Sequence, residues 1–188
     1  MTRLVDRLIA YAKKRPYHHL GTYMLRYWLK DPGEDCRTWG ARIHNIKRSD
    51  HDRCLHDHPW PNASIVLAGG YWEVMPGAFQ AAVEATADAR PADDAMGGLL
   101  RVIESTPGRD VPAATRRVYA RAGVHWRGPG AIVRRKASQA HRLVVPHGTE
   151  AYSLFIMGAR TSERGWGFHT PTGWEHADSY RAKLGREV

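Results

Sequence analysis

Cysteine is scarce in this chain: Cys36 and Cys54 are the only two, and they form neither a CxxC pair nor part of a run of metal-ligating thiols. That excludes a zinc-thiolate site and a disulfide framework, and leaves two reduced thiols as the expectation. Long apolar runs are absent as well. No stretch approaches the roughly 20 residues that a membrane-spanning helix needs, and Arg3, Asp6 and Arg7 interrupt the first apolar pattern, so no secretory core opens the sequence. A cytoplasmic protein with no membrane partner is expected. Also missing are a GxxxxGK[ST] loop, an HExxH pair, a GxSxG elbow and a Rossmann glycine pattern after a strand. Phosphoryl transfer, zinc proteolysis, serine hydrolysis and dinucleotide binding therefore lose ground. Neither an internal repeat nor a coiled-coil heptad is visible.

Acidic residues are outnumbered: 28 Lys and Arg stand against 19 Asp and Glu, a formal net charge of +9. A positive field of that size attracts anions, nucleic acid among them, but identifies no partner. The basic clusters Lys13–Arg15, Arg116–Arg117 and Arg134–Lys136 read more readily as solvated faces than as a nucleic-acid footprint. At 188 residues the chain suits one domain with one core. Residues 1–40 form a lead-in, 41–158 the core, and 159–188 a carboxyl-terminal extension.

Leu4, Val5, Leu8, Ile9 and Ala12 fall on one stripe, with Thr2 placed to cap the first turn, which predicts an amphipathic helix. After the turn signal Asp31-Pro32-Gly33, the pattern becomes one of short apolar stretches. Strands are predicted over 39–47, 64–67, 71–75, 116–120, 131–135, 140–145 and 152–157, with Gly69-Gly70, Gly128-Pro129-Gly130 and Pro146 to Gly148 as corners. The alanine-rich segment 77–110 reads as a surface insertion, partly mobile, with a short strand over Leu99–Ile103. Gly165 to His169 suggests an aromatic strand that returns to cover the sheet. Many short strands with Gly and Pro turns favour an all-β sandwich or barrel.

The most informative phrase is His56-Asp57-His58-Pro59-Trp60. On a strand, side chains at i and i+2 share a face, so the two imidazoles point together. His141, next to another predicted strand, supplies a third nitrogen for one ion and leaves open positions for water or substrate. Neutral imidazoles bind iron, zinc, nickel or copper, and three of them without a carboxylate leave the ion its full charge for polarising a ligand. The competing structural reading makes His56 and His58 loop caps and His141 a satisfied core residue.

His56-Asp57-His58, a strand ending in Gly69-Gly70, then Gly128-Pro129-Gly130 and His141 resemble the two histidine motifs of the cupin superfamily. The resemblance spans about 41–158 and implies a double-stranded β-helix, or jelly roll. Many cupins place a glutamate four residues after the second histidine; Asn62 holds that offset here. The same histidines, with His147 to Leu154 downstream, are similar to the thiol dioxygenases. That similarity implies ferrous iron on His56, His58 and His141 as cofactor and dioxygenase chemistry on a small polar or anionic substrate. The offsets of the cysteine–tyrosine crosslink and its neighbouring histidine hold Ala63, Met157 and Phe155, so the metal face transfers and the thiol pocket does not. Zinc or nickel suits the same nitrogens, with isomerase or lyase chemistry as the alternative. A non-catalytic module that binds nucleic acid or an acidic partner through its basic surface is the remaining reading.

Around this centre, Trp60 and Tyr71 are candidates to border the substrate, with plain packing as their competing role. Arg142 is expected to pair with Glu73 across the sheet or to orient a substrate anion, and Arg26 is a candidate for holding a substrate carboxylate. His51 is a possible gate or replacement ligand. His18, His19, His44, His125, His169 and His176 default to surface, strand or stacking roles. Exposed sheet edges are compatible with a homodimer, and the sequence does not fix the oligomeric state.

Overall fold

The computed structural model describes residues 3–17, 19–50, 54–77, 95–170 and 172–183; His18, His51 and the alanine-rich part of the expected insertion lie outside the described residues. Eleven strands and four α-helices are present among them. In chain order they are α1 (Arg3–Ala12), β1 (Met24–Lys30), β2 (Gly40–Ile46), β3 (Leu55–Asp57), β4 (Asn62–Ala68) and β5 (Tyr71–Val74). Then come α2 (Ala95–Ser105), α3 (Ala113–Arg121), β6 (Val124–Arg127), β7 (Ile132–Arg135), β8 (Arg142–Val144), β9 (Ala151–Met157), β10 (Gly167–Thr170), β11 (Gly173–His176) and α4 (Ala177–Lys183).

One sheet runs β1-β2-β9-β4-β7. The strands β11-β10-β3 and β6-β5-β8 form the other, joined by an antiparallel bridge between His56 and His141. Read along the chain, β2 pairs with β9, β3 meets β8 through that bridge, β4 pairs with β7, and β5 pairs with β6. This nesting is that of one long hairpin rolled up so that its successive strands alternate between two sheets. It defines a jelly roll, the double-stranded β-helix expected from the sequence.

The Gly69-Gly70 corner shows why that roll needs those residues. Gly69 has φ +68° and Gly70 φ +153°; a Cβ on the first would lie 1.9 Å from the carbonyl oxygen of Glu150, and one on the second 2.4 Å from the Trp126 ring. Only glycine lets the chain cross between the sheets this closely.

Helices pack on both outer faces, over β1 and β2 of the first sheet and over β5 and β6 of the second. On the first sheet, Leu8 and Ala12 of α1 pack with Tyr27, Ile43 and Leu154. Leu4, expected on the same stripe, is exposed, because the buried part of the helix is its later turns. On the second sheet, Leu99, Leu100 and Ile103 of α2 and Tyr119 of α3 pack against Trp72, Val74, Val124 and Trp126. Burying a side chain as fully as Ile103 is buried contributes about 1.5–3 kcal/mol.

Two predicted strands are therefore corrected. Leu99–Ile103 belongs to α2, whose apolar residues at i, i+1 and i+4 form a helical stripe. Arg116–Ala120 belongs to α3, which starts directly after Pro112 at its N-cap. Both helices sit between β5 and β6, at the tip of the rolled hairpin, where an added segment leaves the strand pairing undisturbed. The 39–47, 64–67, 71–75, 131–135, 140–145 and 152–157 strands are present with shifts of a residue or two, and the Gly165 to His169 phrase contributes β10, with Phe168 paired to His56. Cys36 and Cys54 are free thiols, and no helix among the described residues is long and apolar enough to cross a membrane.

Candidate metal centre

The bridge between the two halves of the second sheet builds the site. The His56 N–H donates to the His141 carbonyl at 2.8 Å and the His141 N–H returns a bond at 2.9 Å, so residues distant in the chain stand side by side. His58, two residues beyond His56, brings a third ring to the same side of the strand. Ring centres are 4.6 Å apart for His56 and His141, 5.1 Å for His56 and His58, and 5.5 Å for His58 and His141. One nitrogen from each ring lies within 4.8 Å of the others. The Nε2 atoms of His58 and His141 are 3.3 Å apart. Two nitrogens each about 2.0–2.1 Å from one ion, at angles between square and tetrahedral, stand roughly 3.0–3.4 Å apart.

Behind the rings stand two carboxylates. Glu73 Oε1 is 3.3 Å from His141 Nδ1, and Asp50 Oδ2 is 3.4 Å from His56 Nδ1. A carboxylate behind the far nitrogen of a histidine favours the tautomer with the proton on Nδ1, leaves Nε2 free to ligate, and holds the ring in place. The carboxylates are themselves fixed. Asp50 Oδ2 accepts the Leu143 N–H at 2.7 Å. Glu73, fully buried, accepts from Arg135 Nε at 2.7 Å and Arg127 Nε at 2.7 Å, with a second Arg135 bond through Nη2. Arg135 also donates to Asn62 Oδ1 at 3.2 Å and Ser64 Oγ at 3.4 Å.

The electrostatics suit ligation. Burial pushes the His58 pKa well below the usual histidine value, with the neighbouring His56, His141 and Arg135 adding to it. His141 falls to about 4, through burial first and then Arg135, against the opposing pull of Glu73. Both rings are thus neutral near pH 7, the form that offers a lone pair. For Glu73, burial pushes the carboxyl up, but the His141 ring and the Arg135 and Arg127 charges outweigh it and hold it far below the usual carboxylate range. It is an anion committed to structure.

An aromatic wall surrounds the three rings. Trp60 lies nearly parallel to His58 with centres 6.0 Å apart, Phe155 is 6.3 Å from His58, and Trp166 and Phe168 are 5.9 and 6.2 Å from His56. The fold brings Trp60 to the centre's edge. Tyr71 packs its ring among Met24, Ile46, Val66 and Leu143 and hydrogen-bonds through its side chain with Arg135, beside Glu73. Arg142 pairs in register with Val74, and Leu143 with Glu73, so alternation sets Arg142 on the outer face and Glu73 on the inner one. The expected Glu73–Arg142 pair is corrected to Glu73 with Arg135 and Arg127. Arg26 lies in register with His44 on the inner face of the first sheet.

Arg135 and Asp50 join the site without having been singled out by the sequence pattern, whereas His44 takes the strand and stacking role expected of it. Arg135 sat inside a basic cluster read as solvated, yet β7 alternates exposed and buried, with Val133 and Arg135 inward and Arg134 outward. That alternation was the available signal. Asp50 was part of a polar loop, and nothing local marks it as the partner of a strand far along the chain.

No protein-family model matches the sequence, and no curated protein matches it. Among solved structures, the polyketide cyclase RemF of Streptomyces resistomycificus is similar over 92% of this chain and 89% of its own, at 12% identity and a TM-score of 0.49. The DMSP lyase DddQ of Ruegeria pomeroyi DSS-3 matches over 82% of this chain and 61% of its own, at 14% identity and a TM-score of 0.46. A cupin-like protein of Thermotoga maritima matches over 85% and 83%, at 11% identity and a TM-score of 0.43. A thiol dioxygenase is not among these three. Such distant likenesses assign no activity. The class stands on the chain's own geometry: a jelly roll in which three histidines converge on one point, a group able to hold a metal ion.

Proposed function

We propose that this protein is a metal-dependent enzyme that binds one divalent transition metal through His56, His58 and His141 and acts on a small polar or anionic substrate. The observation that carries the reading is the pairing of carboxylates with ligand rings, Glu73 behind His141 and Asp50 behind His56. Buried histidines kept only for packing have no need of two anions placed on their far nitrogens; ligands do. When bound, the ion supplies open coordination positions and Lewis acidity. Glu73 and Asp50 orient the rings, and Trp60, Phe155, Trp166 and Phe168 limit the access of water.

The reaction class we favour is that of a non-haem iron dioxygenase. Both Glu73 and Asp50 are engaged, so among the described residues neither carboxylate beside the histidines is free to shuttle protons, as isomerase or lyase chemistry asks. Dioxygenase chemistry, which iron held by His56, His58 and His141 would supply, makes no such demand. A cytoplasmic setting and assembly as a homodimer through exposed strand edges belong to the same reading.

Elemental analysis of untagged protein tests it. About one equivalent of metal in the wild type and almost none in His56→Ala and His141→Ala is expected. Full stoichiometry in both variants would overturn the site. Substrate-dependent oxygen uptake by the iron-loaded protein, across thiols and amino acids, then separates oxidation from redox-neutral chemistry.

A further inference from the structure

On the first sheet the wall of the lumen carries an arginine, Arg42, that has no counter-anion bonded to it among the described residues. Arg42 and His44, both on the inner face of β2, are 8% and 7% exposed. In register, Arg42 lies between Trp28 of β1 and Phe155 of β9, its guanidinium carbon 4.9 and 5.1 Å from their ring centres. Among the described residues it makes no hydrogen bond or ion pair, and its Nε is buried without a partner. His44 stacks on Phe155 at 4.7 Å, and its Nε2 is likewise buried without a partner. On β4, which flanks β9 on the side away from β2, Nδ2 of Asn62 is also buried and unpartnered, as is Nε1 of Trp60 beside His58. The Asn62 amide orientation is set by its oxygen, which takes the Arg135 bond.

Buried polar groups are satisfied as a rule, and a buried charge without a counter-ion is among the costliest exceptions. The arginine guanidinium, the NH2 of Asn62 and the indole N–H can only donate, so the missing partner is rich in acceptors. Trp28 and Phe155 occupy the flanks of the guanidinium and leave its N–H edge, the direction in which a carboxylate is held by two parallel bonds. Burial and the nearby Arg26 also weaken the guanidinium's hold on its proton, a cost that a bound anion relieves. Phe155 touches this group on one side and His58 on the other, so an anion here lies one ring away from the histidine cluster.

We propose that Arg42, with His44 beside it, is a carboxylate-binding subsite, and that the substrate is a small carboxylic acid held by this end while its other end reaches the histidine centre. Its second half rests on the metal reading above; the subsite does not.

The test uses full-length protein stripped of metal with a chelator, melted at constant ionic strength with acetate, pyruvate, malonate or succinate, and with pyruvamide, malonamide or inorganic phosphate as comparators. At least one carboxylate should raise the melting temperature saturably where its amide does not. The apparent affinity should fall by at least about tenfold in Arg42→Met, with Arg42→Lys in between. Should Arg42→Met not fold, Arg42→Lys and His44→Gln carry the same comparison. Equal effects of acids and amides, an effect unchanged in the variants, no effect of any of the four acids, or a stronger effect of phosphate would each overturn the subsite. Zinc stoichiometry, measured after the chelator is removed and zinc is added back to the same preparations, scores the metal centre separately: no zinc bound with carboxylate binding kept sinks the centre alone, and the reverse sinks the subsite alone.

Discussion

The two ends of the lumen are built on opposite principles. At one end Met24, Ile46, Val66, Tyr71, Leu143, Val145 and Ala151 close a dry plug. At the other, on the same strands and in the same layers, stand Arg42, His44, Ser64, Asn62, Glu73, Arg135 and the three histidines. The change comes within one or two steps along each strand: Ile46 to His44 on β2, Val66 to Ser64 on β4, Tyr71 to Glu73 on β5, and Leu143 to His141 beside β8. Stability can be drawn from the plug and from the helices packed on each outer face, which leaves the other end free to carry charge that a core designed for stability alone would avoid.

Breaking the polar end should cost most. Glu73→Ala strips two arginines of their anion, one of them almost fully buried, and is expected to destabilise the fold by about 3–5 kcal/mol in denaturant titration. A cost below that of an ordinary core truncation would show that this network is not a buried ionic unit. Asp50→Asn keeps an acceptor for the Leu143 N–H and removes the charge behind His56, so zinc affinity should fall roughly 10- to 100-fold with the fold intact. Competition with a chromophoric chelator measures this. At the plug, Ile46→Val should cost about 0.5–1.5 kcal/mol and leave metal affinity unchanged. A loss of metal there would mean that the two ends are coupled.

Acid sharpens the same contrast. Burial, with Arg42 and Arg26 nearby, holds the His44 pKa well below the ordinary histidine value, so the folded protein keeps this ring neutral while the unfolded chain protonates it near pH 6.5. The contribution is complete above that pH and is lost as the pH falls below it, because the unfolded state then binds the extra proton. Stability should decline on acidification from about pH 6.5, and His44→Phe should flatten part of that decline, read from denaturant midpoints. Substituting Arg134, whose side of β7 faces solvent, is expected to matter least, within about 0.5 kcal/mol.

How much of this was legible in the sequence varies with the distance over which each feature is specified. The histidine pair and its partner were legible, because strand periodicity fixes which side chains share a face and the corner glycines mark where strands end. The jelly roll followed from the same punctuation. The helices α2 and α3 were misread because short apolar windows such as Leu99–Ile103 fit both periods, and what decides between them is Trp72 and Trp126 waiting on the outer face of the sheet. Arg135 was mistaken for part of a solvated run although Val133 two residues earlier points the same way. The partners of Glu73 and the role of Asp50 lay beyond local pattern altogether, since both depend on strands brought together only when the hairpin rolls up.

X-ray absorption on the zinc-loaded protein tests the central claim most directly. Three imidazole nitrogens at about 2.0–2.1 Å, with the ring scattering diminished in His141→Ala, is the predicted result. A bound ion whose spectrum shows no imidazole scattering, or one that is the same in His141→Ala as in the wild type, would contradict it.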